Sequence, residues 1–90
     1  GAYVRGRLTS ATFKNCVFHD NKFGIVVSTA TILHIHGEAT AIHSNTTDGI
    51  YAIYSGKVFI HLPSNHNTFY NNARNDRFAM RGGTITNVED

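Results

Sequence analysis

Ninety residues with a formal net charge of +2, one cysteine and 41% hydrophobic content allow one small domain, near the lower size at which a core sustains itself. The balance is too apolar for a disordered chain and holds no run long enough to span a bilayer. Arg74, Arg77 and Arg81 gather towards the C-terminus without the dense basic stripe and interleaved aromatics that nucleic-acid binding needs. Cys16 stands alone, which excludes an internal disulfide and leaves the compartment open.

Taken in chain order, the sequence breaks into short strand pieces between turns of Gly, Asn, Ser and Asp, with no stretch at helical spacing. The leading unit, residues 3–22, places Thr9, Ala11 and Phe13 in alternation and closes on Cys16–His19. Residues 23–49 hold Gly24–Ser28, Thr31–Ile35 and Thr40–His43; residues 50–76 hold Tyr51–Ser55, Val58–Leu62 and Asn67–Tyr70. Residues 77–90 open a further unit with Phe78–Gly82.

Shifting the chain by 27 places lays Leu33 on Ile60, Ile35 on Leu62, Ile42 on Phe69, Tyr51 on Phe78 and Ile53 on Met80. Val26 is read as the counterpart of Ile53, and Val4 as the counterpart of Val26 in the shorter leading unit. Such an interval, filled with three short strands, describes one unit stacked on itself. Equivalent pieces about 4.8 Å apart make a single-stranded parallel β-helix of about three coils, all-β throughout. Asn21, Asn45 and Asn72 each follow an inward apolar residue (Phe18, Ile42, Phe69) by three positions. Stacked at one corner, their amides would bond coil to coil and satisfy turn backbone. Tyr51 over Phe78 makes a second expected stack. A small antiparallel sandwich is the competing architecture.

The fragments Ala52-Ile53-Tyr54-Ser55-Gly56, Asn67-Thr68-Phe69-Tyr70-Asn71-Asn72 and Phe13-Lys14-Asn15-Cys16-Val17-Phe18-His19-Asp20-Asn21 resemble the right-handed parallel β-helix repeats of pectin-lyase-like proteins. The units also resemble repetitive β-helix proteins of algae and their large viruses. The resemblance covers nearly the whole chain and rests on repeat texture, so it implies a fold and leaves activity open. Its members include polysaccharide lyases, hydrolases and epimerases alongside adhesins and viral tail spikes. It implies an extracellular or virion-surface setting rather than a cytoplasmic one.

Catalysis of that kind needs carboxylates on one outer face, and this chain offers Asp20, Glu38, Asp48, Asp76, Glu89 and Asp90. Asp20 falls in a row with Ser44 and Asn71, and Asp48 and Asp76 recur near the Asn corner, where Asp is a turn former. No pair is placed across a substrate as a glycosidase requires. Histidine is the stronger enrichment, six in ninety. His34 and His36 share an outward face about 7 Å apart at Cα, and a 27-residue shift puts His61 over His34. Three imidazoles on one face suit zinc or a similar divalent ion with an open position; a polar surface ladder is the blander alternative. Stacked imidazoles, which titrate near about pH 6.5 when unperturbed, would repel and loosen the coils on protonation. His19 over His43 and Tyr70 forms a second row, and His66 sits in a loop.

Other motifs are weaker. Asn45-Thr46-Thr47 matches a glycosylation acceptor, yet Asn45 belongs to the inward ladder. Thr29-Ala30-Thr31 and Thr84-Ile85-Thr86 do not stack as ice-binding rows, because Lys57 and Val58 interrupt them. Cys16 alternates inward with Phe18 as a small core residue.

The sequence therefore points to one β-helix domain over residues 1–90, a piece of a longer solenoid. Its leading function is a non-catalytic structural or adhesin-like attachment module with weak glycan contacts. The alternatives are a fragment of a polysaccharide lyase, hydrolase or epimerase, and a metal-binding β-helix using His34, His36 and His61. No resident cofactor is expected. Partners are other copies, joined end to end or as a trimer through open coil ends, and polysaccharide, with neither nucleic acid nor membrane insertion.

Overall fold

The computed structural model describes residues 2–5, 10–63 and 65–88. Thr9, Glu89 and Asp90, named above, lie outside them. Eleven strands wind into a parallel β-solenoid of about three turns, with three sheets forming its walls. The first sheet stacks β1 (Ala2–Arg5), β4 (Phe23–Ser28), β7 (Asp48–Ile53) and β10 (Asn75–Ala79) in that order. The second stacks β2 (Ser10–Lys14), β5 (Ile32–His36), β8 (Lys57–His61) and β11 (Thr84–Asn87). The third holds β3 (Val17–His19), β6 (Ala41–His43) and β9 (Phe69–Tyr70). Every strand pairing is parallel, so each coil bonds only to its neighbours. No helix of the described residues is long and apolar enough to cross a membrane.

Alternation explains the walls. In β5, Leu33 and Ile35 are fully buried while Ile32, His34 and His36 face outward and are half-buried, as the two-residue period of a strand dictates. The interior is a set of short rows: Ile25 on Ile50, Val27 on Ala52, Leu33 on Val58, Ile35 on Ile60 and Ile42 on Phe69. Each fully buried Val, Leu or Ile among them contributes about 1.5–3 kcal/mol of transfer free energy.

The leading unit is shorter, and between the second and third coils the 27-residue offset is corrected in the first two sheets. Val4 pairs with Val27 and Ala11 with Leu33, offsets of 23 and 22 residues. Val27 pairs with Ala52 and Leu33 with Val58, both 25 apart. Only from Ile42 on Phe69 onward is the offset 27. Hence Leu33 lies on Val58 rather than Ile60, Ile35 on Ile60 rather than Leu62, and Val26 on Tyr51 rather than Ile53. Val4 lies on Val27 rather than Val26. The cause is the corner after β8, which is two residues longer than the corner after β5. A two-residue slip keeps every side chain on its own face, so the apolar match survives it. Tyr51 does stack on Phe78, ring centroids 5.5 Å apart, but on the outer face, since Ile50 and Ala52 take the inward positions.

Corners are made by residues in the left-handed region. Asp20, Ser44 and Asn71 occupy it singly after the third-sheet strands, while Thr29-Ala30, Tyr54-Ser55 and Arg81-Gly82 occupy it in pairs after the first-sheet strands. A non-glycine residue there costs of order 1–2 kcal/mol, offset by the ladder bonds that the bend permits.

The first coil presents Ala2, Val4, Ala11, Phe13 and Phe18 at interior rows. In the last coil those rows receive Arg77, above Ile50, and Asn87, above Ile60. The Arg77 guanidinium carbon lies 4.9 Å from the centroid of the Phe69 ring. Desolvation lowers its pKa from the ordinary arginine value, with Asp76 acting in the opposite direction. Asn87 Nδ2 donates to the Leu62 carbonyl at 3.4 Å. The interior rows are thus apolar throughout the first coil and mixed in the last, where Ala79 above Ala52 and Ile85 above Val58 stay apolar.

Candidate functional site

At the asparagine corner the amides of Asn45 and Asn72 bond from coil to coil, whereas the Asn21 amide donates within its own coil to the His19 carbonyl. Asn45 Nδ2 donates to Asn72 Oδ1 (2.8 Å) and to the Phe18 carbonyl (3.3 Å). Its own Oδ1 accepts the Asn21 backbone N–H at 3.1 Å. Asn72 Nδ2 donates to the Ile42 carbonyl at 3.0 Å. Asn45 is 1% exposed, so its glycosylation sequence is shut inside the fold. Gly24 and Gly49 let backbone pass against this ladder. A Cβ on Gly24 would fall 2.6 Å from the Gly49 carbonyl oxygen and 2.9 Å from Asn45 Nδ2; one on Gly49 would fall 2.9 Å from Asn72 Nδ2.

On the outer face of the second sheet, His34, His36 and His61 come together. Strand alternation puts His34 and His36 on one face of β5, and the parallel register brings β8 alongside. His61 pairs with His36, not with His34 as the 27-residue shift implied, and Phe59 pairs with His34. The correction keeps the trio intact, because His61 then lies diagonal to His34. His34 Nδ1 and His61 Nε2 are 2.9 Å apart, in hydrogen-bond contact. The His36 and His61 rings stack with centroids 4.1 Å apart and planes 6° from parallel. One nitrogen from each of the three lies within 4.8 Å of the others, and all three residues are half-buried. Phe59 stacks on His34 at 5.4 Å, a neighbour hidden from the sequence by the register error. Lys14 pairs with His36 from the β2 side.

The second row is also present: His19 stacks on His43 (5.1 Å) and His43 on Tyr70 (4.6 Å). Its nitrogens are engaged locally, His19 Nδ1 with Asp20 at 2.5 Å and His43 Nδ1 with Ser44 at 2.8 Å. His66 does more than occupy a loop. Its Nε2 contacts the Glu38 carbonyl at 2.7 Å and its Nδ1 the Thr68 hydroxyl at 2.8 Å, tying the long corner to the coil before it.

The described acids serve corners. Asp76 Oδ1 accepts from Asn72 Nδ2 at 3.1 Å, and buried Asp48 accepts from Asn75 Nδ2 at 3.2 Å with one oxygen unpartnered. Asp20 stands in the left-handed row with Ser44 and Asn71. Cys16 is half-buried, its thiol directed to the Lys14 carbonyl at 3.4 Å.

Outside the first sheet, Tyr3, Phe23, Val26, Tyr51, Ile53 and Tyr54 line an open cleft of about 380 Å³. The observed register brings Phe23, Tyr51 and Ile53 alongside Tyr3 and Tyr54. Comparison with family models, curated proteins and solved structures returned no match to this chain.

Proposed function

We propose that the chain is a non-catalytic structural or attachment module, a stretch of right-handed β-solenoid whose outer walls present side chains for weak contact with glycans. Nearly all parallel crossovers wind right-handed, and the repeat texture resembles that of pectin-lyase-like proteins. The observation that carries the reading is the employment of the described aspartates: Asp48 and Asp76 bond corner amides, and Asp20 engages His19. Acids committed to turns stabilise a scaffold and do not flank a glycosidic bond. The cleft beside Tyr3 and Tyr54, which are 63% and 55% exposed, offers ring faces on which a sugar can stack. Association with a further copy fits the first coil, where Phe13 and Phe18 approach an open edge.

The test is a panel of uronate-rich and neutral polysaccharides. Retention on one or more without new unsaturated or reducing ends, weakened by Tyr54→Ala, is the expected result. Turnover that disappears on Asp20→Asn or Asp76→Asn would overturn the proposal in favour of a polysaccharide-modifying enzyme.

A further inference from the structure

We infer that His34, His36 and His61 form a divalent transition-metal site that clamps the second coil to the third. The inference is independent of whether the solenoid serves attachment. Its basis is geometric. Tetrahedral zinc bound to imidazoles at 2.0–2.1 Å needs its nitrogens about 3.3 Å apart. The trio brackets that spacing: 2.9 Å between His34 Nδ1 and His61 Nε2, and at most 4.8 Å across the set. Small side-chain rotations on an outer face reach it without backbone movement.

The chemistry of the donors narrows the ion. Three neutral imidazoles suit zinc, copper or nickel, whereas calcium and magnesium require oxygen. The outward rows around the trio hold Thr12 and Lys14 on β2, Ile32 on β5, Lys57 and Phe59 on β8, and Thr84 and Thr86 on β11. None of these described residues is a carboxylate, which leaves the fourth position open to water or an external anion. Phe59, stacked on His34, restricts that ring and shields one side from solvent. Two features limit affinity. The stacked His36 and His61 rings carry their in-plane lone pairs side by side, so they must splay to converge on one ion. Lys14, across from His36, adds a like charge. A micromolar rather than nanomolar site follows.

Two ligands stand on β5 and the third on β8, immediately before the long corner that begins at Leu62. An ion held there crosslinks successive coils and binds the folded chain alone. At a hundredfold excess over the dissociation constant, zinc should raise the melting temperature by on the order of 10 °C.

The experiment is titration calorimetry of the untagged chain with zinc, repeated with cobalt to record visible absorption. Expected are one ion per chain, a tetrahedral cobalt spectrum, and at least about tenfold weaker binding in His34→Ala, His36→Ala and His61→Ala. Binding in a His19→Ala/His43→Ala variant should be unchanged. Lys14→Glu retains all three ligands and should tighten zinc by about threefold to tenfold. No binding by the wild-type chain, equal binding by the His34→Ala/His61→Ala variant, loss caused by the His19/His43 pair instead, or no gain from Lys14→Glu would each overturn the site.

Discussion

The two flanks of the stack treat two of the interior rows in opposite ways, although the rows ending in Ala79 and Ile85 stay apolar. At the first coil the rows remain apolar: Ala2 stands under Ile25 and Phe13 under Ile35. At the last coil the row of Ile25 and Ile50 receives Arg77, and the row of Ile35 and Ile60 receives Asn87. In a solenoid each residue is buried by neighbours on both sides, so an interior row is dry only where a coil lies above and below. Ile50 has both and is fully buried. Arg77, one coil further on, is exposed although it occupies the same row. An inward charge in a coil also discourages apolar pairing with another chain.

Exchanging residues along that row breaks or confirms the contrast with the largest effect. Ile50→Arg buries a guanidinium between two coils, where Asp48 two residues away on the same face offsets only part of the desolvation, and should cost more than about 3 kcal/mol. Arg77→Ile forfeits only its contact with the Phe69 ring, about 0.5–1 kcal/mol at an exposed site, and should leave the fold intact while promoting self-association. Urea denaturation followed by circular dichroism measures the first, and sedimentation at several concentrations the second. Similar destabilisation by both substitutions would show that the row does not change character between adjacent coils.

The asparagine corner sharpens the same contrast at a smaller scale. Asn45 bonds both to the coil before it and to the coil after it, whereas the Asn21 amide donates to the carbonyl of His19 in its own coil at 2.9 Å. Asn45→Ala should cost about 2–4 kcal/mol, since it removes the acceptor of the Asn21 N–H, a donor to the Phe18 carbonyl and the bond to Asn72. Asn21→Ala should cost about 1 kcal/mol or less. Equal losses on chemical denaturation would mean that the ladder acts locally rather than between coils.

How far the sequence could reveal this arrangement follows from parity. A parallel stack and its Asn corner are legible because equivalent residues recur near one interval, and Asn21, Asn45 and Asn72 each keep the same spacing from an inward residue. The register of Leu33, Ile35 and His34 was not legible. Offsets of 25 and 27 both match apolar with apolar, and nothing local in β5 or β8 distinguishes them. The two added residues lie beyond His61, in the corner after it. For the same reason the imidazole trio was found while its internal order was not: moving His61 from His34 to His36 changes the neighbour and keeps the face. Phe59 beside His34 and the close passage at Gly24 and Gly49 depend on that register, so they were hidden with it.

The longer corner gives the smallest of these effects and the most local. Around the corner that follows each second-sheet strand, successive coils are tied by different side chains. At the first flank Asn15 Oδ1 accepts the Ala39 N–H at 3.2 Å. One coil on, His66 reaches back to the Glu38 carbonyl, the residue preceding Ala39. In the longer corner the ring of His66 supplies that tie. His66→Ala removes two bonds at a partly exposed position, where a typical hydrogen bond contributes about 0.5–1.5 kcal/mol. It should therefore lower global stability by about 1 kcal/mol or less. Its stronger signature is local: faster amide exchange at Thr68, whose N–H bonds to the His66 carbonyl at 2.8 Å, with exchange at Ile35 and Ile60 changed only by the global loss. If amides throughout the second and third coils accelerate together beyond that loss, the corner is part of the cooperative core and not an appendage to it.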